Sequence, residues 1–393
     1  MKNWQIKTLK QLYVPINNLS YSRDFLTETP QRLAYIHYGD IHTDRIPEVV
    51  SAKTTMSFLL DSISIPSEEK YLLKEGDIVL VDASEDYEGV GKNIEISAIQ
   101  NKKIVAGLHT IALRPIDATN LTPGFGRYLL KHPLVSKRLK AIAQGTKVFS
   151  ISFTLIQKLK VPFPPLEEQR KIVEVLETWD KAITLTKQLI EQKELQKKYL
   201  MQQLLTGRTR LKGFTDMWQN VRLKQICSIK KGQQLNTNTL TKKGQYACLN
   251  GGIIPSGYTT KWNTEAKTIS ISEGGNSCGY VNWNDSRFWA GGHCYTLANV
   301  KMHDSFLYFL LKNQERHIMN LRVGSGLPNI QLSSLENLLL KIPGRQKEQQ
   351  SIAEVFSSAN KEIYLLKQKL AKLEEQKKGL MQVLLTGKVR KII

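Results

Sequence analysis

The sequence predicts an α+β protein in which two globular α/β-type domains are separated by two long helices that form a coiled coil. Three observations predict this fold class. A 43-residue segment occurs twice, each copy has the heptad spacing of a coiled coil, and the stretch before each copy mixes short β-like runs with helical segments. Together they indicate an internal repeat in the order globular, helical, globular, helical.

The repeat is clearest in the two helical segments. Residues 168–210 align with residues 348–390 at a constant offset of 180 without a gap, and 22 of the 43 pairs are identical. Both copies begin with Glu-Gln, and they close with Leu204-Leu205-Thr206-Gly207 and Leu384-Leu385-Thr386-Gly387. Two unrelated helices of similar composition would not share so many residues, so the chain contains a duplication.

Each copy is predicted to be one long helix with an apolar seam. In the second copy, apolar residues recur at alternating steps of four and three, interrupted by Lys377: Ile352, Phe356, Ala359, Ile363, Leu366, Leu370, Leu373, Leu380 and Leu384. The first copy keeps this frame at Ile172, Leu176, Trp179, Ile183, Ile190, Leu200 and Leu204, with Thr186, Lys193 and Lys197 also on it. Prolines precede both helices, and Gly207 and Gly387 stand where helices stop. The alternative is a pair of ordinary amphipathic core helices, but a helix this long needs a partner, and its own repeat is the obvious one.

The remaining sequence divides into two globular domains. Residues 76–82 and 268–272 are typical of buried strands, and helical runs begin at Tyr128 and Phe306. We therefore expect a first domain at residues 1–160, a helical region at 161–210, a second domain at 211–341 and a second helical region at 342–393. Trp4-Gln5 corresponds to Trp218-Gln219, whereas the middles of the two domains do not align by eye.

The charge of the chain predicts a polyanionic partner. The 393 residues carry a formal net charge of +21, and the pI is about 9.6. Nucleic acid is the first candidate, and an acidic membrane surface is the alternative. The sequence has neither a signal peptide nor a run of about 18 apolar residues, so we expect a cytoplasmic protein without a membrane span. The four cysteines form no Cys-x-x-Cys pair and are expected to be reduced.

No catalytic constellation is evident, and short motifs that suggest one have simpler interpretations. Pro162-Phe163-Pro164-Pro165 resembles an amino-methyltransferase motif only superficially and is better read as the turn before a helix. The segment 89–93 is not a P-loop, because its glycines are misplaced and no Ser or Thr follows Lys92. Glu265-Ala266-Lys267 and Gly292-His293-Cys294 lack the further ligands of a metal site, and none is predicted.

Binding is therefore the predicted activity. Gly-rich turns at Asn250-Gly251-Gly252 and Gly274-Gly275-Asn276 would let the backbone approach DNA closely, and basic or amide side chains could contact phosphates or bases. For any single lysine, a solvated surface charge is the alternative. The candidate DNA contacts are Lys53, Lys92, Asn93, Lys102, Lys103 and Lys147 in the first domain and Lys230, Lys231, Asn250, Gly275, Asn276, Arg287, Arg322 and Ser325 in the second.

Taken together, the sequence resembles the specificity subunit of a type I restriction–modification system over its whole length. The resemblance is carried by Pro165-Leu166-Glu167-Glu168-Gln169 at the first helix entry and by the Leu200–Gly207 segment that closes the helix. Gly213-Phe214 with Trp218, and the Phe288–Cys294 segment, are also similar to this family.

The resemblance implies that the two long helices form an antiparallel coiled coil and that the internal repeat is pseudo-twofold. It also implies a division of labour. Each globular domain would be a target-recognition domain that reads one half of a bipartite, asymmetric site in double-stranded DNA, while the helices would act as a ruler for the gap. The family's subunit has no catalytic activity. Modification subunits, two in number, would bind S-adenosylmethionine and methylate adenine, and restriction subunits would use ATP and Mg²⁺.

Two alternatives from other classes stay open at the level of the sequence. A fused nuclease or methyltransferase would need a metal or cofactor site with suitable spacing. A non-specific basic coiled-coil DNA-binding scaffold would bind all duplexes equally and with strong salt dependence, whereas a specificity subunit would prefer one site.

Overall fold

A computed structural model describes residues 4–145, 147–324, 326 and 328–387. The chain forms two compact units, the first from Met1–Leu185 with Leu370–Ile393 and the second from Thr186–Lys369. Each unit therefore combines one globular part with a segment of each long helix. The predicted α+β class with two long helices is confirmed.

The described residues of the first unit form two larger sheets and two two-stranded sheets. Its strands are β1 (Gln5–Thr8), β2 (Tyr13–Ile16), β3 (Leu26–Thr27), β4 (Leu33–Ile36), β5 (Val49–Val50), β6 (Ser57–Leu59), β7 (Ile78–Val81), β8 (Ala83–Ser84), β9 (Asn93–Ile96), β10 (Ile104–Ala106), β11 (Thr110–Pro115), β12 (Phe149–Ser150) and β13 (Lys160–Phe163). Its short helices are α1 (Leu9–Leu12), α2 (Tyr38–His42), α3 (Phe125–Leu130), α4 (Pro133–Ile142) and α5 (Phe153–Ile156), with 3₁₀ turns at Arg23–Phe25, Glu68–Lys70 and Ala118–Asn120. The larger sheets have the orders β2-β11-β7-β9-β5 and β10-β4-β6-β3, and the two-stranded sheets are β1-β13 and β12-β8. The β-branched and apolar residues of β7 are all fully buried, which explains its central place.

The long helix α6 (Leu166–Leu204) leads to the second unit, and α11 (Gln346–Leu384) ends the described chain. Between them lie β14 (Trp218–Arg222), β15 (Ser228–Lys231), β16 (Tyr246–Leu249), β17 (Gly257–Thr259), β18 (Thr268–Ser272), β19 (Val281–Asn284), β20 (Phe288–Ala290), β21 (Cys294–Ala298) and β22 (Leu339–Pro343). The helices are α7 (Leu223–Ile226), α8 (Asp304–Asn313), α9 (Glu315–Met319) and α10 (Leu332–Glu336), with a 3₁₀ turn at Thr237–Thr239.

The globular parts share a topology that their sequences conceal. The order β15-β21-β18-β19 repeats β2-β11-β7-β9, with antiparallel pairing throughout. In the second sheets, β16 pairs parallel with β20 and antiparallel with β17, as β4 does with β10 and β6. A further antiparallel pair, β1 with β13 and β14 with β22, precedes each long helix. The duplication therefore covers the globular parts as well as the helices.

The Glu-Gln pair at the start of each long helix joins that helix to its globular part. Buried Gln169 accepts a hydrogen bond from Thr122 N at 2.9 Å and donates to the carbonyl of Pro164 at 2.9 Å. In the second unit, buried Gln349 accepts from His303 N at 3.1 Å and donates to the carbonyl of Pro343 at 2.9 Å. Each glutamine thus satisfies backbone groups that would otherwise be buried without partners.

The neighbouring glutamates bind the tryptophans that open the two globular parts. Trp4 Nε1 donates to Glu168 at 2.6 Å, and Trp218 Nε1 donates to Glu348 at 3.4 Å. In the second unit Arg210 also binds Glu348 with two hydrogen bonds of 2.6 and 2.7 Å. The glycine that follows the other long helix packs against the same indole, Gly387 on Trp4 and Gly207 on Trp218. Both glycines have positive φ, of 66° and 72°, which explains why the repeated segment ends in glycine.

The long helices run antiparallel within each unit. In the first unit, Leu384 and Leu385 pack in the same core as Ile172 and Leu176, and Asp180 binds Lys377. In the second unit, Lys193 binds Glu362 at 2.8 Å, Glu194 binds Lys367 at 2.7 Å, and Leu204 shares a core with Ile352 and Phe356. The coiled coil predicted from the repeat is therefore present, and it is antiparallel, as the family resemblance implies.

The predicted seam residues lie on the inner side of these helices. Nine are buried: Ile172, Leu176, Ile183, Ile190, Leu204, Ile352, Phe356, Ile363 and Leu384. Six are half-buried: Trp179, Leu200, Leu366, Leu370, Leu373 and Leu380. Lys377 interrupts the apolar row because it binds Asp180, whose second oxygen accepts a hydrogen bond from Tyr128 at 2.5 Å.

Candidate nucleic-acid interface

A nearly buried glutamate ties several loops of the second unit together. Glu273 follows β18, and its carboxylate accepts hydrogen bonds from Lys231 Nζ at 2.5 Å and from Tyr295 Oη at 3.2 Å. It also lies 3.3 Å from Nδ1 of His293. Its backbone N donates to the carbonyl of His293 at 2.9 Å, and its own carbonyl accepts from Ile330 N at 2.8 Å. One acidic side chain therefore organises a cationic cluster at this end of the sheet.

The Gly-rich turns meet beside Glu273. His293 N donates to Asn250 Oδ1 at 3.1 Å, and Ser272 Oγ donates to the carbonyl of Gly251 at 2.6 Å. Gly275 N donates to the carbonyl of Pro328 at 3.0 Å. Gly251 and Gly275 have φ values of 80° and 77°, a region that side chains disfavour. These bonds assemble the turns at 250–252, 274–276 and 291–293 into one surface, which we name the second loop cluster.

Four of the sequence-predicted DNA contacts come together in or beside the second loop cluster: Lys231, Asn250, Gly275 and Asn276. Lys230 is exposed on β15, where alternation turns it away from Lys231. Arg322 is exposed and directly precedes the isolated β-bridge between Val323 and Asn329.

Arg287 and Ser325 stand apart from this group. Arg287 belongs to a different pair of contacts, because it binds Glu265 at 2.9 Å and lies 4.3 Å from the ring of Trp262. Ser325 lies outside the described residues.

The first unit has a corresponding cluster. Asp82 follows β7, its N donates to the carbonyl of His109 at 3.1 Å, and its carbonyl accepts from Ile151 N at 2.8 Å. Its carboxylate lies 3.5 Å from Nδ1 of His109. Burial raises the pKa of Asp82, although the nearby His109 opposes that shift. Asp82 and His109 thus repeat the arrangement of Glu273 and His293, and we name this surface the first loop cluster.

The predicted contacts of the first unit do not form one patch. Lys92 Nζ donates to the carbonyl of His42 at 3.0 Å, and Lys102 Nζ donates to that of Thr54 at 2.8 Å. Lys103 binds Glu68 at 3.0 Å. These three lysines serve local structure, which the sequence could not reveal. Exposed surface positions remain for Lys53 and Lys147.

Asn93 requires a correction. It was expected to contact DNA, but it lies buried in β9, where Nδ2 donates to the carbonyl of Gly91 at 3.3 Å. Because a central strand holds it inside the domain, we remove it from the candidate contacts.

The structure also bears on the other predicted chemistry. Within the described residues, no group of three or more His, Cys, Asp or Glu side chains could hold a metal ion. All four cysteines are buried and free, and burial raises the pKa of Cys227 and Cys294 to about 12. None of the helices in the described ranges has both the length and the apolar character that crossing a membrane requires.

The family model for the type I restriction modification DNA specificity domain matches residues 1–195 and 215–375. The chain belongs to this family.

Relatives agree with this membership. A putative type I specificity subunit of Mycoplasma genitalium is 35% identical over 143 residues, which make up 36% of this chain and 37% of the relative. The alignment therefore spans little more than a third of that relative. A putative type I restriction enzyme MjaX specificity subunit of Methanocaldococcus jannaschii is 26% identical over 415 residues, covering 99% of this chain and 94% of the relative.

Solved structures share the fold. The crystal structure of the type I restriction–modification system S subunit from M. genitalium superposes with a TM-score of 0.63 at 18% identity, covering 98% of this chain and 96% of that one. A second structure, from work on the structural basis of complex assembly and conformational transition of the type I restriction–modification system, superposes with a TM-score of 0.61 at 18% identity. The match covers 98% of this chain and 97% of that one.

The two carboxylate–histidine pairs, Asp82–His109 and Glu273–His293, were not identified from the sequence. The signal was present as Ala-Gly-x-His, which occurs at Ala106–His109 and again at Ala290–His293. It escaped notice because its offset is 184, whereas the long helices repeat at 180. The structure aligns the two copies through equivalent bonds, from Gly107 N to the carbonyl of Ile36 and from Gly291 N to that of Leu249.

Proposed function

We propose that this chain directs a type I restriction–modification complex to its DNA target. Each globular part acts as a target-recognition domain for one half of a bipartite, asymmetric site in double-stranded DNA. The observation that carries this proposal is the duplicated topology, in which two equivalent scaffolds present different loops. The net charge of +21 supports a polyanionic partner.

The paired helices set the gap between the half-sites and provide the surface for the modification subunits, of which two bind. Those subunits hold S-adenosylmethionine and methylate adenine, and restriction subunits supply the ATP- and Mg²⁺-dependent reactions. The chain itself is the non-catalytic, cytoplasmic specificity component. In this scheme residues 1–160 and 211–341 are the recognition domains, and residues 161–210 and 342–393 are the helical regions.

Within the described residues, the candidate DNA contacts retained are Lys53, Lys92, Lys102, Lys103 and Lys147 with Lys230, Lys231, Asn250, Gly275, Asn276, Arg287 and Arg322. Exposed members of the loop clusters take precedence, because lysines that already bind backbone carbonyls would have to break those bonds to reach DNA.

The proposal is tested by mapping methylated adenines in cells with and without this chain, with the modification subunit present in both. We expect one bipartite motif with a fixed gap to disappear when the chain is absent. If no motif changes, a duplex-binding titration separates an inactive complex from a scaffold, because a scaffold binds site-containing and random DNA equally.

The ruler is tested by shortening both helices together. Deleting residues 187–193 and 362–368 removes one heptad from each and preserves the seam frame. Seven residues span about 10.5 Å of helix, or about three base pairs at 3.4 Å each. We therefore expect both half-sites to persist with a gap about three base pairs shorter. A control that replaces these heptads by other seam-compatible sequences of equal length should keep the original gap, and an unchanged gap after deletion would contradict the ruler.

A further inference from the structure

His109 and His293 occupy the same place in two units whose loops otherwise differ. Each histidine directly precedes the central strand, β11 or β21, and ends an Ala-Gly-x-His segment. In both, the histidine carbonyl accepts a hydrogen bond from the backbone N of the acidic residue that ends the neighbouring strand. The middles of the two globular parts share little sequence, so a pair retained in both meets a requirement common to both.

The geometry of the pair leaves one ring nitrogen for an external partner. Nδ1 lies 3.5 Å from Asp82 in the first unit and 3.3 Å from Glu273 in the second. The histidine side chains are 49% and 62% exposed, whereas the two carboxylates are only 26% and 10% exposed. The carboxylate thus faces Nδ1 on the inner side of an exposed ring, and Nε2 is the polar atom available to a ligand.

The charges around each ring decide what that ligand is. A ring whose Nδ1 donates to the carboxylate can donate to a second partner only from Nε2, and only when both nitrogens carry hydrogen. Around His293 the other titratable groups are Lys231, which shares Glu273, and Tyr295. Around His109 they are Tyr38, in edge contact at 5.2 Å, and His37, whose charge opposes that of His109. An exposed Nε2 that donates in this way suits an anion.

We propose that His109 and His293 each bind a backbone phosphate of DNA, one in each half of the recognition site. This inference rests on the function proposed above. The half-sites of an asymmetric target differ in their bases but not in their phosphates. A residue retained in both recognition domains therefore fits the part of DNA that does not vary, and the carboxylate holds its ring in register.

The test uses the full-length chain and two duplexes of equal length, one carrying the mapped methylation site and one of random sequence. The variants are His109→Ala and His293→Ala, and the control is His317→Ala, an exposed histidine on α9 of the second unit. Each loop-cluster variant should weaken binding of both duplexes by the same factor, about tenfold for one hydrogen bond to a charged group. It should also lower the slope of log K against log salt by about one. The control should change neither quantity.

The pH dependence gives an independent readout. Because the ring must donate from both nitrogens to contact the carboxylate and the phosphate together, affinity of the original chain should fall as pH rises between about pH 5 and 8. The doubly substituted chain should lose this dependence. Glutamine in place of histidine retains a neutral donor, so His293→Gln should regain part of the affinity but none of the pH dependence. It also guards against a variant that fails only because it misfolds.

Two outcomes would overturn the inference. A changed methylation motif in the corresponding half-site would make the histidine a reader of bases. Unchanged affinity and salt slope in both alanine variants would make the pairs purely structural. Failure of the proposed function is visible separately, because the original chain would then bind the two duplexes equally.

Discussion

Replacing Gln349 by alanine should destabilise the second unit far more than the same change at its neighbour, Gln350. Gln349 is 4% exposed and links His303 N to the carbonyl of Pro343. Its removal leaves both backbone groups without that partner, and each unsatisfied buried group costs about 1–3 kcal/mol. Because the contact with His303 is only partly buried, we expect a total loss of about 2–4 kcal/mol. Gln350 is exposed and contacts only Glu354, at 2.9 Å, so its replacement should cost no more than about 0.5 kcal/mol.

Urea denaturation followed by tryptophan fluorescence is suited to this comparison, because four of the six tryptophans lie in the second unit. With a slope of about 2 kcal/mol per molar urea, Gln349→Ala should lower the midpoint by about 1–2 M. Gln349→Glu should be worse than alanine, because it places a buried carboxylate against the carbonyl of Pro343. Equal midpoints for the alanine variants at 349 and 350, or a Gln349→Glu variant as stable as the original chain, would refute this account of the helix entry.

Two further predictions concern the interior of the units. Asp180→Asn removes the charged partner of Lys377 and should lower the free energy of unfolding by about 1–3 kcal/mol. In the second unit the repeat places Asn360 and Lys197 where the first has Asp180 and Lys377. Asn360→Asp should therefore raise the free energy of unfolding by about 0.5–1 kcal/mol, because it adds an acidic neighbour for Lys197. Burial lowers the pKa of Lys197 although the charge of Glu194 opposes that shift. Thermal or urea unfolding in which Asp180→Asn stabilises the chain, or Asn360→Asp destabilises it, would contradict the assignment. The four buried thiols should resist alkylation at pH 8 until the chain unfolds, because burial raises the pKa of Cys294 to about 12 and leaves almost no thiolate; reaction at the rate of a free thiol in the folded chain would show that the sites are open.

The long helices could be predicted from the sequence because their determinants are local. Apolar residues at heptad spacing, prolines before the first turn and glycines after the last decide where α6 and α11 begin and end. The Glu-Gln pairs and the tryptophans were visible as repeated residues, but their pairing could not be read, since Glu348 and Trp218 are 130 residues apart. Such contacts depend on tertiary packing, which spacing alone does not report.

The topology of the globular parts was beyond sequence reasoning for a related reason. Strand pairing is non-local, and β16 reaches β20 across about 40 residues whose turns differ in length from those of the first unit. The candidate DNA contacts of the first unit show a second limit of sequence reasoning. Lys102 and Asn93 have the chemistry to contact DNA, yet the fold uses one to bind a backbone carbonyl and buries the other. The residue type shows that a side chain could contact DNA, but whether it is available to do so depends on its burial and on the hydrogen bonds that it already makes.

If each globular part reads one half-site, as proposed above, the differences between the two units indicate where the base-reading residues lie. Groups that serve both units equally, such as the Glu-Gln helix entries and the carboxylate–histidine pairs, occur twice in equivalent places. The segments that follow the equivalent strands β4 and β16 do not. After β4 the chain forms helix α2, whereas after β16 it forms the Gly-rich turn at Asn250 with the exposed side chains of Ile253 and Ile254. Since recognition of unlike half-sites requires unlike surfaces on a common scaffold, these segments are the places where base-reading residues should be sought.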